Sequence, residues 1–131
     1  MKETVELPLF IKGEVEHGKE IGRKIDMPTI NMVPTGDALL LEHGVYYSRV
    51  YVDKQVYKGI TNVGKKPTVK NTDTVNAETF IYDFSGDLYG KEVEVELLEF
   101  RRPEIKFKSL DELSKQMHKD LEAGKKYGKE R

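Results

Sequence analysis

The chain contains no cysteine in 131 residues. Neither a disulfide framework nor a thiolate metal site can therefore exist, and a reducing compartment suits it. Positive charge is not in excess either: 22 Lys and Arg stand against 23 Asp and Glu, a formal net charge of −1. With no global basic field, a nucleic-acid backbone has no general reason to bind, and only a local basic patch stays open. No apolar run approaches the roughly 20 residues of a membrane-spanning helix. The opening MKETVELPLF lacks the positive and long apolar regions of a signal peptide. A cytoplasmic protein without a membrane partner is the expectation. Histidines are few and scattered singly, at His17, His43 and His118, which does not resemble a metal set. No internal repeat or linker is visible.

What is present is a highly charged surface around a modest core. A hydrophobic share of 37% and a charged share of 34% describe one globular domain over residues 1–131, long enough to bury a core and too short for two.

Most of the chain carries the two-residue period of strands. In GVYYSRVYV (44–52), Tyr46, Ser48, Val50 and Val52 alternate with Val45, Tyr47, Arg49 and Tyr51, and the β-branched and aromatic content suits a pleated surface. After a two-residue Asp53-Lys54 turn, QVYKGITNVG returns as its hairpin partner. AETFIYDF (77–84) and KEVEVELLEF (91–100) flank SGDLYG and read as a second hairpin, with Val93, Val95 and Leu97 on one face and Glu94, Glu96 and Leu98 on the other. NVGKKPTV (62–69) reads as a loop leaving a strand, its turn set by Gly64 and Pro67. Short strands near LFIKGEVE and PTINM complete a set of about six. The period then changes once. Ser109 followed by Glu112 is a capping-box signature, and Leu110, Leu113, Met117 and Leu121 recur at helical spacing, which predicts a helix over about 109–123 stopped by Gly124. The tail 125–131 is charged and expected to fray. Antiparallel strands followed by one amphipathic helix predict a mainly β protein, a small closed or nearly closed barrel with the helix packed on it.

Three stretches carry candidate chemistry. GEVEHGKE (13–20) nearly spells a P-loop, but Glu20 stands where a Ser or Thr would meet magnesium, Glu14 and Glu16 put negative charge beside phosphates, and Pro28 follows too soon for the required helix. The motif is a decoy, although Gly13, Gly18 and Gly22 still give a segment whose amides could approach phosphate, with Lys19, Arg23 and Lys24 nearby. In GRKIDMPTIN (22–31), Thr29 and Asn31 share one strand face and Ile30 takes the other, so two small oxygen-bearing side chains sit together. A polar, solvated face would read the same way. Glu78 is a carboxylate in an otherwise apolar, β-rich segment, and its plain role would be an outward-facing strand residue.

GEVEHGKEIGRKIDMPTIN, GVYYSRVYV, NVGKKPTV, AETFIYDFSGDLYG and RRPEIKFKSLDEL occur in the order, and near the spacing, of the ATP-dependent riboflavin kinases, and the chain resembles that family over nearly its whole length. The resemblance implies a six-stranded antiparallel Greek-key barrel that uses MgATP to convert riboflavin to FMN, releasing ADP. It implies that Thr29 and Asn31 hold the Mg²⁺ of the nucleotide and that Glu78 is the general base for the ribityl 5′-hydroxyl. By the same matching, Gly18, Arg23, Ile81 and Tyr89 line the nucleotide site with Thr29 and Asn31, while Arg102 and Phe107 touch the flavin. In bacteria this domain is usually the second half of a bifunctional riboflavin kinase and FAD synthetase. Two departures stand out: Asp26 replaces a common glycine, and Phe80, expected to face the core, replaces a histidine two residues after the base. A flavin-binding or regulatory module on the same barrel is the alternative. An RNA-binding barrel is disfavoured by the acidic balance and the lack of an aromatic and basic platform.

Overall fold

A computed structural model describes residues 6–16, 29–67 and 73–127. It contains strands β1 (Leu9–Glu14), β2 (Thr29–Met32), β3 (Gly44–Val52), β4 (Gln55–Pro67), β5 (Asp73–Ile81) and β6 (Glu92–Pro103), a short 3-10 turn at Gly36–Leu40, and helix α1 (Leu110–Lys126). All strand pairs are antiparallel, and the sheet order is β1-β6-β3-β4-β5-β2. β3, β4 and β5 form a meander and β6 returns beside β3, which is the Greek-key order. One bridge between Glu16 and Asn31 joins the two ends of the sheet and rolls it toward a barrel.

Two sequence expectations change here. SGDLYG is not a hairpin turn, because β5 pairs with β4 and β2 while β6 pairs with β1 and β3. It belongs to the long return connection of the Greek key, pinned by hydrogen bonds from Gly90 N–H to the Val15 carbonyl and from Val15 N–H to the Lys91 carbonyl. Of NVGKKPTV, the described residues 62–67 likewise do not leave the sheet, since β4 runs on through Gly64 to Pro67 and β5 begins at Asp73. Gly64 serves a close approach: a Cβ there would stand 2.9 Å from Glu104 Oε2.

The alternation read from sequence sorts the two faces of the sheet. Val50, Val63, Ile81, Val93, Val95 and Leu97 fill the barrel interior with almost no exposure. Three hydroxyls share that interior and satisfy one another, Thr61 bonding to Ser48 at 2.8 Å and to Thr79 at 2.7 Å. The opposite face of β3, β4 and β5 buries a second cluster, Val45, Ile60 and Phe80, under Met117 and Leu121 of α1. Each such side chain removed from water contributes about 1.5–3 kcal/mol, which is the main force seating the helix.

The helix start follows its sequence signature. Ser109 Oγ accepts from Glu112 N–H at 3.2 Å, and Glu112 Oε2 accepts from Lys108 N–H at 2.9 Å. Leu110, however, is 71% exposed, so the apolar stripe begins at Leu113. Gly124 does not stop the helix, which continues to Lys126. Gly124 is buried against β4, where any Cβ would strike Tyr82 Oη and Ile60.

Candidate active site

Strand register places five residues in one row across the outer face of the sheet. Asn31 pairs with Glu78, Glu78 with Asn62, Asn62 with Val45 and Val45 with Arg102, crossing β2, β5, β4, β3 and β6 in turn. Directly opposed residues share a face with their Cβ atoms ~5 Å apart. The row therefore begins with an amide, passes a carboxylate and ends with a guanidinium. Residues at both ends of the chain are needed to make it, because β2 and β6 reach the row only through the Greek-key order.

Part of this row forms the floor of a cavity of about 110 Å³. Glu78, Asn62, Val45 and Arg102 lie on the floor with Phe80, Phe107 stands on its wall in the β6–α1 connection, and Leu113, Met117 and Leu121 of α1 form the roof. Glu78 is half-buried and its Oε2 is buried. Its side chain does face outward from the barrel, as a plain strand residue would, but into this covered cavity. Phe80 is 5% exposed and buried as expected, though in the cluster beneath the helix and not in the barrel interior. A carboxylate, an arginine and an aromatic ring around an apolar space suit a planar aromatic ligand carrying a hydroxyl to be deprotonated.

The Arg102 guanidinium is held from α1. Asp120, 5% exposed at its side chain, accepts from Arg102 Nε at 2.9 Å and from Nη2 at 2.6 Å, and also from Arg101 Nε at 3.0 Å. Burial alone would raise the Asp120 carboxyl, but the hydrogen bonds from Arg102 and Arg101 outweigh it and hold the group below its ordinary value of 3.8. The sign follows. A carboxyl lowered in the folded state contributes stability that is present above 3.8 and lost as pH falls through the lowered value. The stability gap between the parent and Asp120→Asn should hold constant from about pH 7 to 5 and narrow below about pH 4, read as thermal midpoints at each pH.

Asn31 is buried, and its Oδ1 accepts from Asn76 Nδ2 at 3.0 Å, which fixes the amide on the Glu78 face. Thr29 is half-buried two residues before it, on the same face. Among the described residues no three His, Asp or Glu side chains gather to hold a metal by themselves. One or two neutral oxygens beside a phosphate-bearing ligand do fit Mg²⁺, which takes few protein ligands and keeps water and phosphate oxygens. Tyr89 does not line the cavity and is 53% exposed, but its loop reaches the Asn31 rim, because Gly90 bonds to Val15 and Glu16 N–H bonds to the Asn31 carbonyl at 2.7 Å. Ile81 lies three residues from Glu78, so its side chain points into the barrel, 1% exposed, on the face opposite the cavity. Gly18, Arg23 and Asp26 lie outside the described residues.

Sequence reasoning missed Asp120, Asn62 and Asn76. A signal for Asp120 existed, since it stands three residues after Met117 and one before Leu121, a charge on the buried stripe of the helix. Asn62 and Asn76 had no local signal, because only strand register brings them to Glu78 and Asn31.

Barrel, covered cavity and polar row together define a small Greek-key barrel domain with a cavity between its outer sheet face and a C-terminal helix. Residues 5–128 match the Flavokinase family, described as riboflavin kinase. The chain belongs to the riboflavin kinase family. The bifunctional riboflavin kinase/FMN adenylyltransferase of Bacillus subtilis is 35% identical over 122 residues, 92% of this chain and 39% of its own. A solved structure named as a macrolide-efflux protein of Streptococcus pneumoniae is 34% identical, with a TM-score of 0.75 over 92% of this chain and 40% of that one. Riboflavin kinase from Trypanosoma brucei, 22% identical with a TM-score of 0.58 over 88% of this chain and 76% of that one, supports the fold alone. The chain spans only between 18% and 48% of the curated relatives compared.

Proposed function

We propose that this domain transfers the γ-phosphate of ATP to the ribityl 5′-hydroxyl of riboflavin, giving FMN and ADP. The observation that carries this reading is the row Asn31, Glu78, Asn62, which runs from the Asn31 rim into the helix-covered cavity. Phosphoryl transfer needs alignment and charge stabilisation more than covalent help from the protein. Riboflavin occupies the cavity with its ring system against Phe107 and near Arg102. Glu78 accepts the hydroxyl proton as the oxygen attacks phosphorus. Thr29 and Asn31 would hold a divalent metal, Mg²⁺, which when bound neutralises charge on the phosphates. Gly18, Arg23 and Tyr89 are assigned to the nucleotide, Gly18 and Arg23 by resemblance alone. In a longer native protein the domain would be fused to an FMN adenylyltransferase, as in the Bacillus subtilis relative, and act in the cytoplasm.

The direct test is FMN formation from riboflavin, ATP and Mg²⁺ by the purified chain; absence of FMN in a protein that still binds riboflavin would favour a flavin-binding module. A second test concerns the rim. Asn31→Ala removes the oxygen assigned to the metal together with its bond from Asn76, costing about 1 kcal/mol of stability. Turnover should fall on the order of tenfold or more and recover partly in excess Mg²⁺. A rate unchanged across the Mg²⁺ titration would remove Asn31 from the site.

A further inference from the structure

We propose that Asp120 is a positioning residue for the flavin, acting through Arg102. This inference rests on the riboflavin kinase reading. Asp120 occupies a place on the apolar stripe of α1 where an uncharged residue would pack at no desolvation cost, and replacing such buried ion pairs with apolar groups often leaves stability unchanged or raised. Seating the helix does not explain it. Helix α1 has anchors of its own: Tyr82 Oη donates to the Leu121 carbonyl at 2.6 Å, Lys58 Nζ donates to the Lys125 carbonyl at 2.9 Å, and Tyr127 stacks on Tyr47 with centroids 4.1 Å apart.

What Asp120 does achieve is the orientation of a guanidinium that lines the cavity. Its two oxygens take Arg102 Nε and Nη2, and the Pro103 carbonyl takes Nη1 at 3.0 Å. A long side chain that would otherwise sample many rotamers is thereby fixed before any ligand arrives. Nε donates its only hydrogen to Asp120. Nη1 and Nη2 each keep one further hydrogen that bonds to no acceptor among the described residues, a fork suited to carbonyl oxygens on the edge of a planar ring. Arg101 takes the same Asp120 oxygen through Nε and turns Nη1 to Tyr47 Oη at 3.2 Å, so two arginines share one carboxylate and Asp120 stays ionised while holding Arg102. Fixing a donor in its binding geometry beforehand strengthens binding because less freedom is lost when the ligand enters.

The test compares Asp120→Glu, Arg102→Gln and the double variant by riboflavin fluorescence titration and steady-state kinetics, with circular dichroism and thermal midpoints for the fold. Asp120→Glu keeps the charge and displaces it by one methylene, so it should raise the riboflavin Kd and KM about tenfold while kcat and the ATP KM stay within about threefold. Arg102→Gln should weaken riboflavin at least as much. The double variant should bind no more weakly than Arg102→Gln, because a residue that acts through another has nothing left to act on. Overturning results are parent-like riboflavin affinity in Asp120→Glu, losses that add in full in the double variant, or an Asp120→Glu chain that cannot fold. A parent chain that binds no riboflavin would overturn the functional reading as well, whereas a parent that binds and an indifferent Asp120→Glu would overturn the positioning role alone.

Discussion

Glu78→Gln is expected to lower the rate of FMN formation by roughly two to four orders of magnitude, the usual contribution of a positioned general base. Glutamine keeps the size of the side chain and its hydrogen-bonding shape, but its amide cannot accept a proton at neutral pH. The neighbours that fix the residue are unchanged, since Asn31 and Asn62 pair with position 78 through the backbone. Riboflavin and ATP affinities should therefore move only a few-fold. The comparison that separates chemistry from binding is single-turnover FMN formation beside a flavin fluorescence titration on the same protein. A Glu78→Gln variant that binds riboflavin normally and turns over within a few-fold of the parent would return Glu78 to an ordinary strand residue. The effect is larger than that expected at Asn31 because a lost metal ligand is partly restored by mass action, and a lost base is not.

Strand identity was legible in the sequence because it is local. The period in 44–52 and in Val93, Val95, Leu97 needs only a half-buried sheet, and the two-residue Asp53-Lys54 turn needs only its neighbours. Pairing beyond adjacent strands is not local. SGDLYG has the composition of a hairpin turn, yet its flanking strands separate in the sheet, and nothing within six residues distinguishes a turn from a Greek-key return. Gly64 was read as a breaker because glycine is poor in strands, whereas here its missing side chain admits the Glu104 carboxylate. The site divides the same way. Glu78 and Asn31 could be named from motif resemblance, but their adjacency, and the approach of Arg102 to the same cavity, come from register across five strands. The direction of the Ile81 side chain was legible from sequence, since an odd offset from Glu78 means the opposite face.

Gly124 offers a prediction in which local propensity and packing disagree. In an exposed helix interior, glycine to alanine stabilises by roughly 0.5–1 kcal/mol. Gly124→Ala in α1 should do the reverse. The new Cβ would fall 2.5 Å from Ile60 Cγ1 and 2.8 Å from its Cδ1, and against Tyr82 Oη. Neither neighbour can retreat cheaply: Ile60 is 2% exposed in the cluster beneath the helix, and Tyr82 Oη is tied to the Leu121 carbonyl at 2.6 Å. Overpacking a filled contact costs about 1–3 kcal/mol, and displacing Tyr82 costs about 1 kcal/mol more for its hydrogen bond. The sum exceeds the gain in propensity, so a net loss of roughly 2–3 kcal/mol is expected, a drop in thermal midpoint on the order of 10 °C for a chain of this length. The helix is also the roof of the cavity, so lifting it moves Leu113 and Met117 off the cavity and Asp120 off Arg102. Riboflavin binding should weaken together with stability, while Leu110→Ala, at a position 71% exposed, changes neither. The measurement is a thermal melt and a flavin titration on both variants. A Gly124→Ala protein as stable as the parent, binding riboflavin equally well, would show that the helix does not need this close approach to cover the site.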